Sequence, residues 1–346
     1  MDTLLLYGCY GYTGRLLADE ARARGLRPIL AGRRREDVEA MGRALDLPTR
    51  VFSLDSAAEV DQGLDGVHVV LHAAGPFLRT SKPMADACLR KHTHYLDVTG
   101  EIAVFEALAA RDTEARSAGV TLMPGVGFDV VPSDCLAAYV ASKVPGATQL
   151  TIALGVSGSL SHGTATTMVE NLGAGGAVRR DGNITKVPTA HATRAFDFGE
   201  GNRTCVTIPW GDVSTAWHST HVPNIEVYLA APLAARALMK ASRWLGFALA
   251  SAPAQRLMKS RISEGGPTAE QRARGKSRLY AEARGPGGTF AARLVGPDGY
   301  DITAHAGIRA AEFVLAGKVP PGYQTPSTGF GMDFVLGLPG ITRTDV

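Results

Sequence analysis

The chain has 346 residues, 45% of them hydrophobic, long and apolar enough for two domains that each bury a core. Lys and Arg total 36 against 33 Asp and Glu, which excludes a global electrostatic case for nucleic acid or an anionic membrane and leaves any basic cluster to a local explanation. The four cysteines, Cys9, Cys88, Cys135 and Cys205, show neither a C-x-x-C pair nor metal-ligand spacing, which argues against a disulfide framework and for a reduced, cytoplasmic setting.

The N-terminus carries Asp2 and only a brief apolar run before Gly8, too short and wrongly flanked for a signal-peptide core. Strand-like and helix-like runs then alternate: "TLLLYG", Arg15 to Arg24, "RPILAG", Glu36 to Ala44, "TRVFSL", Ala57 to Leu64, "VHVVLHAAG", Lys82 to Lys91, "HYLDVTG", Val104 to Ala118 and "VTLMPGVG". Six continuous apolar strands separated by five helices predict an α/β, Rossmann-type doubly wound parallel sheet over residues 1–125.

After Gly127 the rhythm changes to longer alternating segments, "QLTIALGV", "NIEVYLA", "SRLYAEARG" and "TFAARLVGP", with turn signals "GPGG" and "GPDG" around the last. They predict a second, α+β domain over 126–302, built on a mainly antiparallel sheet for substrate binding or dimerisation, with helices at Thr166 to Leu172 and Pro232 to Leu245. An open antiparallel face suits pairing of two copies as a homodimer. The stretch "WLGFALASAPAQ" from Trp244 is uncharged for only twelve residues, against the roughly 20 that span a bilayer, so no integral membrane segment is expected. Near the end "ITAHAGIRAAEFVLAG" reads as a helix and "KVPPGYQTPSTGFG" as a Pro/Gly-rich segment, and 303–346 is expected to return to the first domain.

Gly8, Gly11 and Gly14 follow the first strand and open a helix from about Thr13, the context in which a glycine pattern points to a dinucleotide. Gly8 permits the tight turn, Gly11 lets backbone approach a pyrophosphate, and Gly14 allows close helix-to-strand packing, while the helix start offers unpaired N–H groups to phosphate. Thr13 adds a hydroxyl, and either Tyr10 or Tyr12 packs beside the cofactor. The second strand ends "LAGRRRED", where an NAD site usually carries an acid for the ribose 2′-hydroxyl; here Gly32, Arg33 and Arg34 stand instead. Arginine grips a 2′-phosphate, so the cofactor expected is NADP (NADPH). The fourth strand delivers Ala73, Ala74, Gly75 and Pro76, small residues that leave room for a ribose or simply form a tight loop.

These residues resemble the saccharopine dehydrogenase-like family of NADP-binding oxidoreductases, including its bacterial branch of trans-acting enoyl reductases. The resemblance is carried by "GCYGYTG", "AGRR", "AAGPF", "YLDVTGE" and "GFDVVPSD" in family order over the N-terminal third, then by "SHGTATT" and "PGYQTPSTGFG". It implies the fold and the cofactor more strongly than the reaction, since the family covers saccharopine formation and enoyl reduction in lipid and polyketide assembly. Cys9 and Tyr10 depart from the small pair commonly found there, and a bulky Tyr10 alters the approach to the pyrophosphate.

Hydride transfer also needs a group that protonates or stabilises what accumulates on the substrate. The resemblance places Asp129 at the position of a functional aspartate in saccharopine reductases, where it donates a proton, orients an iminium, or satisfies loop amides. His162, before a helix, is the second catalytic candidate. Ser133 and Asp134 read as helix caps, while Asp97 and Glu101, whose loops border the crevice, suit the chemistry or the loop N–H groups equally. His72, His92 and His94 form no metal-ligand pattern. No basic stretch interleaves aromatics for base stacking, so no nucleic acid is expected. Two readings follow: an NADP(H)-dependent oxidoreductase reducing an enoyl (C=C) or imine group on a small-molecule or acyl-thioester substrate, or a non-catalytic NADP-binding regulatory or assembly protein.

Overall fold

A computed structural model describes residues 3–157, 161–170, 175–249, 251–261 and 265–346. The chain divides into two compact units, Met1–Val131 with Tyr300–Pro339, and Pro132–Gly299 with Gly340–Val346.

The first unit alternates β1 (Leu4–Tyr7), α1 (Tyr12–Ala23), β2 (Ile29–Gly32), α2 (Arg35–Leu45), β3 (Thr49–Val51), α3 (Ala57–Gly63), β4 (Val69–His72), α4 (Phe77–Lys91), β5 (His94–Asp97), α5 (Ile102–Ala109), α6 (Asp112–Ala118) and β6 (Thr121–Met123). β1, β2 and β4 are buried along their whole length, as apolar strands covered on both faces must be. Leu5, Leu6, Val70 and Leu96 are fully buried, each side chain of this size stabilising the fold by roughly 1.5–3 kcal/mol.

The sheet is parallel, in the order β6-β5-β4-β1-β2-β3. Its order reverses between β1 and β4, where the loops after these two strands part to opposite sides and leave a crevice. The expected helix from Val104 to Ala118 is two helices, α5 and α6. Arg111 caps the second and pairs with Glu114 at 2.8 Å and with Asp86 at 2.6 Å.

The second unit runs α7 (Val131–Ser142), β7 (Gln149–Ser157), α8 (His162–Glu170), β8 (Gly176–Arg180), β9 (Asn183–Val187), β10 (Thr193–Asp197), β11 (Asn202–Thr207), α9 (Asp212–Thr220), β12 (Asn224–Ala230), α10 (Leu233–Leu249), α11 (Ala252–Lys259), α12 (Ala269–Arg274), β13 (Lys276–Gly285) and β14 (Gly288–Gly296). Leu172, the expected end of α8, lies outside the described residues. The sheet is mixed and mostly antiparallel, only β12 and β7 pairing parallel among the described strands. β8 to β11 go beyond the sequence reading, because "GAVRR", "NITKV" and "TRAFD" are too short and charged to show a buried face. The β8–β9 hairpin nonetheless turns on Asp181 and Gly182, both at positive φ, the backbone that a two-residue turn of this hand requires.

α13 (Gly299–Leu315) belongs to the first unit, packed on α1 so closely that a Cβ at Gly307 would lie 2.8 Å from Leu17. β15 (Gly322–Tyr323) adds a seventh parallel strand beside β6, and α14 (Pro326–Phe330) follows it under a Thr325–Thr328 capping box. The sequence reading assigns 303–346 to the first domain as one piece; the structure divides it. β16 (Thr342–Asp345) pairs antiparallel with β14, and Tyr139 of α7 donates to Asp345 at 2.8 Å, which places the last seven residues in the second unit.

Candidate functional site

Tyr7, His72 and Asp97 stand in register at the carboxyl ends of β1, β4 and β5, so the loops that follow them share one edge of the first unit's sheet. The three glycines there do three different jobs. Gly8 has φ +85, its amide donates to Ala31 at 2.8 Å, and a Cβ on it would lie 2.8 Å from Ala74, so the β1 and β4 loops touch at the floor of the crevice. Gly14 faces inward, where a Cβ would come within 2.2 Å of the Gly8 carbonyl. Gly11 is the least enclosed of the three, a Cβ there making one close contact, with the Gly8 carbonyl at 3.3 Å. Gly11 also caps α1 with no side-chain hydrogen bond, so the start of a 12-residue helix faces this opening on backbone donors alone. Thr13 is half-buried in the helix's first turn.

The two tyrosines diverge. Tyr12 packs edge-on against Tyr300 at 5.0 Å. Tyr10 turns toward the end of β2, where its ring lies so close to Gly32 that a Cβ would come within 2.6 Å of it, and the Arg34 guanidinium sits 4.3 Å above the ring. Arg34 also pairs with Asp37 at 2.7 Å, and Arg35 with Glu39 at 3.0 Å. Arg33 is exposed, with no ion pair or hydrogen bond among the described residues. Ala73 and Ala74 are half-buried and Gly75 is exposed, joined to Pro76 by a cis peptide.

Beyond β5 the polar groups are mutually satisfied. The buried Asp97 carboxylate accepts from the amides of Thr99 and Gly125, both at 2.9 Å, and from the Tyr95 hydroxyl at 2.6 Å, so it ties the β5 and β6 loops together. Burial raises its pKa to about 6, against the lowering effect of these hydrogen bonds. Glu101 accepts from the amides of Phe77 and Leu78 at 3.1 and 3.0 Å, capping α4 from a distant loop. Asp129 is half-buried with its carboxylate over Gly100, where a Cβ would lie 2.7 Å from Oδ2. Protein packed around that carboxyl raises its pKa to about 6. The loop carrying it is pinned by the Phe128 amide, which donates to Thr303 at 3.0 Å.

The remaining candidates have other surroundings. His162 is exposed at the start of α8 in the second unit, its amide donating to Gly265 at 2.8 Å. Ser133 and Asp134 lie inside α7 rather than ahead of it, a correction to their reading as caps, and Asp134 accepts from Ser219 of α9 at 2.7 Å. His92 bonds the Ala118 carbonyl and His94 accepts the Thr121 amide. His72 is fully buried among the rings of Tyr7, Phe77 and Tyr95, neither nitrogen having a partner, and burial lowers its pKa to about 3. The Asp97 hub and the Glu101 cap both lie in "YLDVTGE", whose two carboxylates flank a turn, the signal that marks loop-binding acids. An uncapped helix start, the lightly enclosed Gly11 beside it and an uncommitted arginine one strand away fit a dinucleotide.

Residues 4–123, the span from β1 to β6, match the saccharopine dehydrogenase NADP binding domain family. Over 142 residues the chain is 32% identical to a trans-acting enoyl reductase of Mycobacterium leprae, an alignment covering 38% of this chain and 33% of the relative. Over 184 residues it is 27% identical to a saccharopine dehydrogenase-like oxidoreductase of Bos taurus, covering 46% and 43%. The chain thus aligns with a third to under a half of the length of these relatives. Saccharopine dehydrogenase (L-Glu forming) of Saccharomyces cerevisiae shares the fold over 100% of both chains, with a TM-score of 0.67 at 12% identity. The homospermidine synthase of Legionella pneumophila, solved in complex with NAD, also gives 0.67, at 8% identity over 100% of this chain and 91% of its own.

Proposed function

We propose that the protein is an NADP(H)-dependent oxidoreductase that reduces the C=C bond of an enoyl thioester or the C=N bond of an imine. The observation that carries this reading is the turn from β1 into α1, where Gly8, Gly11 and an uncapped helix start converge beside the β4 loop. The choice of NADP over NAD rests on Arg33, exposed at the end of β2 while its two arginine neighbours are engaged.

When bound, the nicotinamide supplies the hydride. The first N–H groups of α1 would hold the pyrophosphate beside Gly11, whose own amide donates to the Gly8 carbonyl at 3.1 Å, and the Thr13 hydroxyl would add a hydrogen bond. Arg33 holds the 2′-phosphate, while Tyr10 under Arg34 offers a flat platform for the adenine. Gly32 leaves room for that platform, Tyr12 steadies the helix start against Tyr300, and Ala73, Ala74, Gly75 and Pro76 border the ribose. Asp129 delivers the proton that balances the hydride, to the α-carbon of an enoyl thioester or the nitrogen of an imine. With a pKa of about 6 it holds that proton in about one molecule in ten at pH 7. His162 is the next candidate donor. A cytoplasmic setting and pairing of two copies belong to the same reading, supported by four free, buried cysteines and an antiparallel sheet.

The test is titration with NADPH and NADH, followed by a screen for NADPH oxidation across enoyl thioesters, imines and 2-oxo acids. Oxidation driven by one of the first two classes is expected. Tight NADPH binding with no turnover of any class overturns the catalytic reading in favour of a regulatory or assembly role.

A further inference from the structure

The near-neutral balance of the whole chain conceals one concentrated exception. Between Glu226 and Glu264 the sequence contains no acidic residue and six cations, Arg236, Lys240, Arg243, Arg256, Lys259 and Arg261. The rest of the chain then has 30 Lys and Arg against 33 Asp and Glu, so without the cations of this segment the chain would be net negative. Five of the six lie on the consecutive helices α10 and α11, and Arg261 follows α11.

These helices present apolar side chains outward. Leu233 is 73% exposed, Leu238 70% and Leu257 57%, three of the most exposed large hydrophobic residues in the described structure. Leu233, Ala237 and Ala241 follow one another at i, i+4 and i+8 along α10, all exposed, with Leu238 beside them. Lys240, Arg256 and Arg261 are exposed and have no ion pair among the described residues. Arg243 instead fastens α10 to its unit, donating to the carbonyls of Thr189 and Ala190, both at 2.7 Å. The helix is thus held in place with Leu233, Leu238 and Lys240 facing away from the protein.

We propose that α10 and α11 form a docking face for an anionic lipid bilayer, the leucines entering the headgroup boundary and the cations meeting lipid phosphates. Exposed leucine flanked by unpaired cations is the pattern of an interfacial helix. A second copy of this chain is the poorer occupant. A two-fold interface sets a surface against itself, and here it would bring together two segments of six cations with no acid between them. Nucleic acid would use the cations and leave the leucines in water. No helix among the described residues is long and apolar enough to cross a membrane, so the contact is peripheral. This inference is independent of the cofactor reading.

The test is flotation of the full chain with vesicles of phosphatidylcholine alone and of phosphatidylcholine containing about 30 mol% phosphatidylglycerol, at low and high salt. The protein is expected to float with the anionic vesicles only, and less so as salt rises. Leu238→Asp, and separately Lys240→Glu with Arg256→Glu, should each lower the bound fraction about tenfold or more. Circular dichroism and an unchanged thermal midpoint confirm that the variants are folded, and their changed side chains are solvent-facing in the parent. No flotation with anionic vesicles overturns the proposal, as does equal flotation with both vesicle types or binding unchanged in both variants. Loss of self-association in Leu238→Asp without vesicle binding by the parent also overturns it, and assigns the face to a second copy.

Discussion

Asp129→Asn separates what this carboxyl does for the reaction from what it does to the fold. Burial moves its pKa from the ordinary 3.8 to about 6, so ionising it costs the folded protein about 3 kcal/mol more than it costs the unfolded chain. The folded state binds the proton more tightly. The carboxyl's contribution to stability is therefore fully present below pH 4 and is lost as pH rises through about 6. Asparagine keeps the size and remains neutral. The variant should match the parent near pH 4 and exceed it by about 2–3 kcal/mol at pH 8, read from urea unfolding at several pH values. On the proposed function the same substitution lowers the maximal rate by about 10²-fold or more, leaves NADPH affinity unchanged and removes one limb of the pH–rate profile. A stability difference that does not vary with pH refutes the burial argument. A fully active variant assigns Asp129 to loop architecture and passes the proton to His162, whose alanine variant is then the decisive one.

Arg33→Ala should weaken NADPH binding by about 1.5–3 kcal/mol and leave NADH binding nearly unchanged in a calorimetric titration; equal losses remove the 2′-phosphate role. Gly11→Val should abolish cofactor binding with little change in thermal midpoint, whereas Gly14→Val, with its Cβ 2.2 Å from the Gly8 carbonyl, should lower that midpoint strongly. Normal NADPH binding by Gly11→Val makes all three glycines packing devices. Glu101→Ala strips the carboxylate from the first amides of α4 and should cost about 1–2 kcal/mol in urea unfolding, an unchanged stability meaning that α4 is capped by other groups. His72 is held neutral by burial, so the unfolded chain takes up its proton first and the parent loses stability as pH falls below about 6.5. His72→Leu should flatten that acid-side loss, and an unaltered slope between pH 7 and 4 counts against a buried neutral imidazole.

Much of the first unit is legible in the sequence because its signals are local. A parallel strand covered on both faces is a run of four apolar residues, and a tight turn into a helix is a glycine at one place. "LLLY" followed by Gly8, Gly11 and Gly14 therefore specifies strand, turn and helix before any partner is known. The change to longer alternating segments after Gly127 likewise announces a different sheet. Such signals are weakest where the strand is short or at an edge. Gly322–Tyr323 and Thr342–Asp345 are strands only because β6 and β14 lie beside them.

Commitments between side chains were decided by tertiary structure alone. Three consecutive arginines are equivalent in the sequence; the Tyr10 ring and Asp37 take Arg34, Glu39 takes Arg35, and Arg33 is left exposed. Tyr10 and Tyr12 are equally plausible neighbours of a cofactor until Gly32, some twenty residues on, provides space for one ring and Tyr300 receives the other. Asp97 ends β5 and Asp129 lies in the loop after β6, both raised to about 6 by burial, and only the folded chain brings the Tyr95 hydroxyl and the Thr99 and Gly125 amides onto Asp97 and sets Asp129 over Gly100. Asp134 reads as a cap from its neighbours and is instead a tie between α7 and α9, because Ser219 is 85 residues away. Backbone conformation depends on a residue and its near neighbours, so sequence encodes it directly. The availability of a charged or aromatic group depends on which distant residue reaches it first, and that competition is settled only when the chain has folded.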